Sequence, residues 1–77
     1  MISGAKTKLY YIRKSRRVTQ VQLSAAVGIN QSVLSRYETG VLDINLAEAI
    51  TVYRMAKFLE CSIEEILELR EEDCDGA

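Results

Sequence analysis

The middle of this sequence contains polar side chains that recur at helical spacing, namely Gln31, Ser32, Ser35 and Arg36. Glutamine offers a paired donor and acceptor, arginine offers a fork of donors, and a serine hydroxyl can donate or accept. In the major groove of DNA, glutamine can bond bidentately to adenine, arginine to guanine, and serine to either base. An ordinary solvated helix face is the alternative interpretation of the same residues, so the surrounding sequence has to decide between the two.

The segment from Thr19 to Gly40 can form two short helices joined by a tight turn. Thr19 is suited to cap the first helix, and Gly28 can adopt the left-handed conformation that ends it. Asn30 then opens the second helix. Its apolar residues fall opposite the polar four: Val33, Leu34 and Tyr37. The apolar side would fix this helix and leave its polar side available for binding.

Length and composition predict one small all-α domain. The 77 residues are 48% hydrophobic, contain no proline, and show little alternation of β-branched residues at period two. We expect a compact five-helix domain at residues 6–70, a flexible N-terminus at 1–5 and an acidic, disordered tail at 71–77. The helices should lie at about residues 6–17, 20–27, 31–38, 46–59 and 63–70.

The second half of the chain contains two predicted capping boxes. Asn45 with Glu48 would begin the fourth helix, and Ser62 with Glu65 would begin the fifth. The fourth helix, at residues 46–59, is apolar around most of its circumference. We therefore expect the other helices to cover it on most sides.

Several classes of function are disfavoured by what the sequence lacks. It contains no apolar run of membrane-spanning length and no signal peptide, so we expect a cytoplasmic, nucleoid-associated protein without a membrane partner. There is no histidine, and the two cysteines have no metal-ligand spacing, so neither a metal nor a cofactor is expected. The serines lack a nearby base, and no glycine-rich phosphate loop is present, so we expect neither an enzyme nor a small-molecule substrate.

Charge is distributed unequally along the chain, although the net charge is only −1. Residues 1–40 contain seven basic residues and one acidic residue, whereas residues 41–77 contain three basic and ten acidic residues. This asymmetry predicts a basic face that can approach a polyanion and an acidic face behind it. Chance clustering with a solubilising acidic tail is the alternative.

Arg13 lies beside the apolar side of the first predicted helix, where a buried guanidinium needs an anion. Glu38 is the only acid in the first forty-two residues. The simplest arrangement is an Arg13–Glu38 ion pair that bridges the first and third helices and fixes the angle between them.

A series of further motifs follows one order along the chain: Thr19-Gln20 with Leu23 and Val27, Gly28, Leu34, Tyr37-Glu38-Thr39-Gly40, and Ala56-Lys57-x-Leu59-x-x-Ser62. With these motifs, residues from about Leu9 to Leu69 resemble the phage repressor and Cro type of helix-turn-helix domain. This is the XRE-like, or lambda repressor-like, family of regulators in bacteria and their viruses.

The resemblance implies a role for each polar residue of the segment. Gln20 would hold a backbone phosphate and brace Gln31. Base edges would be contacted by Gln31, Ser32 and Arg36, with Ser35 as a weaker candidate. Further phosphate contacts would come from the following residues: Lys14, Arg16, Arg17, Asn30 and Thr39.

The resemblance also implies a homodimer on a palindromic operator, with half-sites about 34–36 Å apart. The fifth helix, at residues 63–70, would help to build the interface. Val41 and Leu42 replace the basic residues usual after the third helix, and they are available for a protein contact. Glu60 stands where glycine usually ends the fourth helix, a change that would cost up to about 1 kcal/mol.

Two functions are compatible with these features. The first is a sequence-specific regulator of transcription, acting as a repressor on double-stranded DNA. The alternative is a protein–protein interaction module of the same fold, such as an antitoxin or an accessory subunit. Val41, Leu42 and the acidic second half favour the alternative, whereas the charge asymmetry and the Gln20/Gln31 pair favour DNA.

Overall fold

Five α-helices and one short 3-10 turn make up the chain within residues 6–69, the part that the computed structural model describes. In chain order they are α1 (Lys8–Ser15), α2 (Gln20–Val27), α3 (Gln31–Thr39), the 3-10 turn (Ile44–Leu46), α4 (Ala49–Leu59) and α5 (Ile63–Ile66). The predicted all-α, five-helix class is confirmed. The N-terminus at 1–5 and the tail at 71–77 lie outside the described residues.

One apolar core joins all of these elements. Helix α2 packs against α3 and α4, and α1 packs against α3 and α5. Every helix and the 3-10 turn contribute at least one buried side chain to the core: Leu9, Leu23, Val27, Leu34, Ile44, Val52, Met55, Ala56, Leu59 and Ile66. Short helices of this kind are stabilised mainly by such packing, because isolated helices of this length are marginal in water.

The α2–turn–α3 unit follows the sequence-based prediction closely. The Thr19 hydroxyl accepts a hydrogen bond from the backbone N–H of Gln22, whose side chain accepts one from the backbone N–H of Thr19. Gly28 ends α2 with φ +77°, and Gly40 ends α3 with φ +85°. Both values lie in the left-handed region that glycine adopts without steric cost. Helix α3 extends one residue beyond the predicted end.

Helix α1 is shorter than the predicted 6–17. It begins after Thr7, whose hydroxyl accepts from the backbone N–H of Tyr10, and it ends at Ser15. Arg17 has φ +59°, so the backbone has left the helix before this residue. The backbone N–H of Val18 then donates to the carbonyl oxygen of Arg13, which turns the chain toward α2.

The predicted start of the fourth helix, a capping box of Asn45 with Glu48, is wrong. Residues Ile44–Leu46 form the 3-10 turn, and α4 begins at Ala49 with Glu48 as its N-cap. The Asn45 side chain is engaged elsewhere: its Nδ2 donates to the carbonyl oxygen of Glu68, and its Oδ1 accepts from the backbone N–H of Glu68, both at 2.9 Å. A long-range contact has replaced the local cap.

Helix α4 is covered less completely than predicted. Val52, Met55, Ala56 and Leu59 are buried, but three other large apolar residues are close to half exposed: Ile50, Tyr53 and Phe58. The covered side is the one that faces α2 and α5. The opposite side exposes these apolar residues together with the cations Arg54 and Lys57.

Helix α5 is also shorter than the predicted 63–70. Its Ser62–Glu65 capping box is present, with both reciprocal hydrogen bonds. Leu67 has extended backbone angles, so the helix ends at Ile66. The bonds from Asn45 hold the next residue, Glu68, in this extended segment.

Candidate nucleic-acid interface

Helix α3 presents a polar side to solvent because its other side is inside the protein. Leu34 and Glu38 are buried one turn apart. Gln31, Ser32 and Arg36 are exposed, whereas Ser35 is only partly exposed. The structure therefore brings three of the four predicted base-reading residues together on one open surface. Ser35 lies between Gln31 and Ser32 around the helix axis, but its side chain is partly covered.

A row of hydrogen bonds connects this surface with the interior. Gln31 Nε2 donates to Gln20 Oε1 at 3.3 Å, and Gln20 Nε2 donates to Glu38 Oε1 at 2.9 Å. The first bond brings Gln31 and Gln20 together as the resemblance implied. The second bond was not predicted, because no local spacing relates Gln20 to Glu38.

Arg13 and Glu38 form the inner end of this row. Arg13 Nε donates to Glu38 Oε2 at 2.5 Å, and Arg13 Nη2 donates to Glu38 Oε1 at 3.1 Å. Arg13 Nη1 also donates to the carbonyl oxygen of Val18 at 2.8 Å. Arg13 is 7% exposed and Glu38 is 1% exposed, so the ion pair is inside the protein. The pair inferred from the sequence is thus present, with bidentate geometry.

The backbone of Glu38 also ties α3 to the start of α1. The backbone N–H and the hydroxyl of Thr7 both donate to the Glu38 carbonyl oxygen, each at 3.1 Å. This role of Thr7 was missed in the sequence, because it depends on the way α1 and α3 cross. Together with the ion pair, these bonds determine the position of α3 relative to α1.

A shallow cleft of about 520 Å³ lies beside Gln31, between α1 and α2. Its walls carry the exposed cations Lys14 and Arg17 together with Thr19 and Gln20. Two cations and an uncharged polar rim suit a phosphate group.

The two ends of α3 carry the remaining predicted phosphate ligands. Asn30 is exposed and makes no capping hydrogen bond with its side chain. Thr39 is exposed, and its hydroxyl donates to the Arg36 carbonyl oxygen at 3.3 Å. Both side chains flank the polar surface of α3.

A model of the helix-turn-helix family matches residues 9–66, about three quarters of the chain. The chain belongs to the XRE/lambda repressor-like helix-turn-helix family. A comparison with curated proteins returns no match. Family membership indicates a DNA-binding regulator of transcription, and the family is generally not enzymatic.

Arg16 lies apart from the other predicted phosphate ligands of this helix-turn-helix domain. Its Nε donates to the carbonyl oxygen of Leu59 at 2.7 Å, and its Nη2 donates to that of Glu60 at 3.3 Å. The guanidinium is therefore directed at the C-terminus of α4, away from the Lys14–Arg17 cleft. This geometry disfavours the phosphate contact predicted for Arg16.

Residues 6–69 show no sign of a metal site or of a membrane-spanning helix. No cluster of three or more cysteine, aspartate or glutamate side chains in this range is arranged to hold a metal ion. The helices of this part of the chain are too short or too polar to cross a membrane. All buried side-chain nitrogen and oxygen atoms among the same residues have hydrogen-bond partners.

Proposed function

We propose that this protein is a sequence-specific repressor that binds a palindromic operator as a homodimer, with α3 in the major groove. The observation that supports the proposal best is the exposure of Gln31, Ser32 and Arg36 on one helix whose opposite side is anchored by a buried ion pair. Base recognition requires rigidly held donors and acceptors, since a misplaced bidentate contact loses its selectivity.

The proposed phosphate contacts surround these base-reading residues. Lys14 and Arg17 would attract one phosphate in their cleft, and Gln20 retains one amide hydrogen for the same strand. Asn30 and Thr39 would contact the phosphates on either side of the groove. Such contacts supply affinity and orientation, whereas the bases supply selectivity.

The homodimer is proposed from an apolar surface that follows α3. Val41 is 73% exposed and Leu46 is 83% exposed, so the fold leaves both side chains largely uncovered. Leu69, at the end of the described chain, is 40% exposed and shares a cleft with Leu42. We propose that these residues form the two-fold contact. The extended segment after α5 takes the place of the predicted longer helix.

Repression is proposed because a bound dimer needs only to occupy its operator in order to block other proteins. A regulator of this kind acts where the DNA is, which in a bacterium is the cytoplasm and its nucleoid. Placing the operator before a reporter gene would test the sign of regulation: lower expression in the presence of the protein is expected, and higher expression would identify an activator.

The decisive experiment is selection of bound duplexes from a random pool, followed by gel-shift titration at two salt concentrations. We expect a palindromic site and an affinity that falls steeply with salt, because phosphate contacts release counterions. A protein that binds neither random nor selected duplex at low salt is not a DNA-binding regulator. Sedimentation with and without the selected site would measure the stoichiometry.

A protein-interaction module is the second candidate. The exposure of Val41, Leu46 and three large apolar residues of α4 favours it, because exposed apolar side chains are a feature of protein interfaces. The two functions are compatible, since an antitoxin can bind both a protein and DNA. Failure of DNA binding in a folded sample would leave this function as the primary one.

A further inference from the structure

We propose that Glu38, a buried residue beneath the interface, determines which base Gln31 reads. Glu38 is 1% exposed and cannot itself reach DNA. It is connected to Gln31 through Gln20 by two successive hydrogen bonds. The inference rests on the proposed function, and it adds a residue that sets specificity from the interior.

The first step is the direction of the Gln20 amide. A carboxylate has only acceptor atoms, and both oxygens of Glu38 already accept hydrogen bonds from Arg13. Glu38 Oε1 lies 2.9 Å from the Gln20 amide nitrogen. A flipped amide would place the Gln20 oxygen against this carboxylate, and the two acceptors would repel each other. Glu38 therefore holds Gln20 with its nitrogen inward and its oxygen toward Gln31.

The second step is the direction of the Gln31 amide. The Gln20 oxygen can only accept, so Gln31 must present its nitrogen to Gln20, as observed at 3.3 Å. One of the two Gln31 N–H groups is thereby occupied. The groups that remain for a base are the carbonyl oxygen and one N–H. Donor and acceptor positions on Gln31 are thus fixed by a residue two hydrogen bonds away.

The third step is the match with a base edge. One acceptor beside one donor complements adenine, which offers its N6 amino group and N7 in the major groove. Guanine offers two acceptors, O6 and N7, and would require two donors from Gln31. A Gln31 without the constraint from Gln20 could turn its whole amide nitrogen toward guanine. The buried carboxylate therefore favours adenine over guanine at one position.

The test uses the full-length chain and compares base preferences. Wild type and Gln31→Ala are each used to select duplexes from a random pool. Gln31 reads the base at the position of the site where wild type shows a preference and Gln31→Ala shows none. Affinities are then measured for duplexes with adenine or guanine at that position. Wild type should prefer adenine by about tenfold or more, the size expected for one good bidentate contact.

The diagnostic variant replaces both members of the ion pair, Arg13→Met with Glu38→Leu. Apolar replacement of a whole buried pair often preserves stability, so a folded protein is expected. Circular dichroism and thermal unfolding would verify the fold. Its preference for adenine over guanine should fall to within about threefold of equality. The two Thr7 bonds to the backbone carbonyl of residue 38 survive the replacement, so α3 should keep its place and preferences at other positions should remain. Glu48→Leu with Arg54→Met makes the same two changes of residue type at exposed positions outside the interface, so this control should keep the full preference.

A second variant keeps the inference testable if the double replacement does not fold. Gln20→Met interrupts the row of bonds and leaves the ion pair intact. It should lower affinity for all sites, through the lost phosphate contact, and it should also reduce the ratio between adenine and guanine. A lost phosphate contact alone would weaken the adenine and guanine duplexes equally, so a change in the ratio of their affinities reports the orientation of Gln31.

The inference is overturned if the folded double variant or Gln20→Met retains the full adenine preference, or if Gln31 in wild type selects guanine. Either result would leave the proposed function intact, because wild type would still select a site. A wild-type protein that selects no sequence would instead refute the proposed function, and this inference with it.

Discussion

Arg16 donates a hydrogen bond from Nε to the carbonyl oxygen of Leu59 at 2.7 Å, which joins the end of α1 to the end of α4. The last carbonyl groups of a helix have no partner within the helix, and they form the negative end of its dipole. A guanidinium at this place satisfies one of those groups and neutralises part of the dipole. Arg16 is therefore a structural residue in a segment that otherwise looks like a cluster of DNA-binding cations.

Arg16→Met should reduce the free energy of unfolding by about 1–2 kcal/mol, the value of a hydrogen bond from a charged donor at a helix C-terminus. Urea denaturation would measure this loss. The salt dependence of DNA binding should not change, because the guanidinium is directed at the end of α4 and not at the Lys14–Arg17 cleft.

Arg17→Met is the matched control for that variant, since Arg17 lines the cleft beside Gln20. It should reduce the slope of log affinity against log salt by about 1 and weaken all duplexes alike. If the salt slope instead changed in Arg16→Met and not in Arg17→Met, Arg16 would be the phosphate ligand.

The helix boundaries show which signals can be recognised in a sequence. The stops at Gly28 and Gly40 could be predicted, because glycine is the residue that enters the left-handed region without strain. The end of α1 could not, because the left-handed residue there is Arg17. The predicted start of α4 was wrong because Asn45 bonds to Glu68, twenty-three residues away, in preference to a local cap.

In the candidate interface, too, some features could be inferred from the sequence, and others depend on how the helices pack. The Arg13–Glu38 pair could be inferred, because a buried arginine requires an anion and only one acid was available in the first half. The bond from Gln20 to Glu38 could not be inferred, because it depends on the angle between α2 and α3. Composition alone also could not separate Arg16 from Arg17, which are adjacent in sequence but turn toward different parts of the molecule.

Glu60→Gly should stabilise the protein by about 1 kcal/mol. Glu60 ends α4 with φ +57°, a conformation that is costly for a residue with a Cβ atom. Thermal unfolding would measure the gain, and Glu60→Ala serves as the control because it removes the carboxylate but keeps the Cβ. If both variants were more stable than wild type by the same amount, the gain would come from removing the charge of Glu60 and not from its backbone conformation.

Removal of one partner of the Arg13–Glu38 pair should be far more damaging than removal of both. Glu38→Ala leaves a buried guanidinium without its carboxylate, and the expected loss is about 3–5 kcal/mol. This is a large share of the total stability of a small domain. Arg13→Met with Glu38→Leu should unfold close to wild type in urea. A double variant as unstable as the single one would show that the pair itself stabilises the fold.

Acidification should weaken the N-terminal cap of α5. The pKa of the Glu65 carboxyl is lowered, chiefly by the hydrogen bond that it accepts from the backbone N–H of Ser62 at 2.8 Å. A group whose pKa is lowered by folding stabilises the protein above its unfolded-state pKa, and the effect is lost as pH falls through the folded-state pKa. Wild type should therefore be more stable than Glu65→Gln at pH 7, and the difference should shrink in acid.

Glu64→Gln is the control for the acid experiment, because Glu64 lies in the same helical turn but is not the capping residue. Its difference from wild type should change less with pH than that of Glu65→Gln. Urea denaturation of the three proteins across the acid range would supply the comparison. A parallel pH dependence of both variants would assign the effect to general charge repulsion.

Arg36→Ala should relax base preference at a single position of the selected site and weaken binding there by about 1–3 kcal/mol. Arg36 is exposed on the same side of α3 as Gln31 and Ser32, and its guanidinium suits the two acceptors of guanine. Lys14→Ala is the matched control, because it also removes one positive charge but from the cleft, and it should weaken every duplex equally. Titration of both variants against the selected site and its single-base variants would separate these patterns. If Arg36→Ala also weakened every duplex to the same extent, Arg36 would be a phosphate ligand, and base reading on α3 would be limited to Gln31 and Ser32.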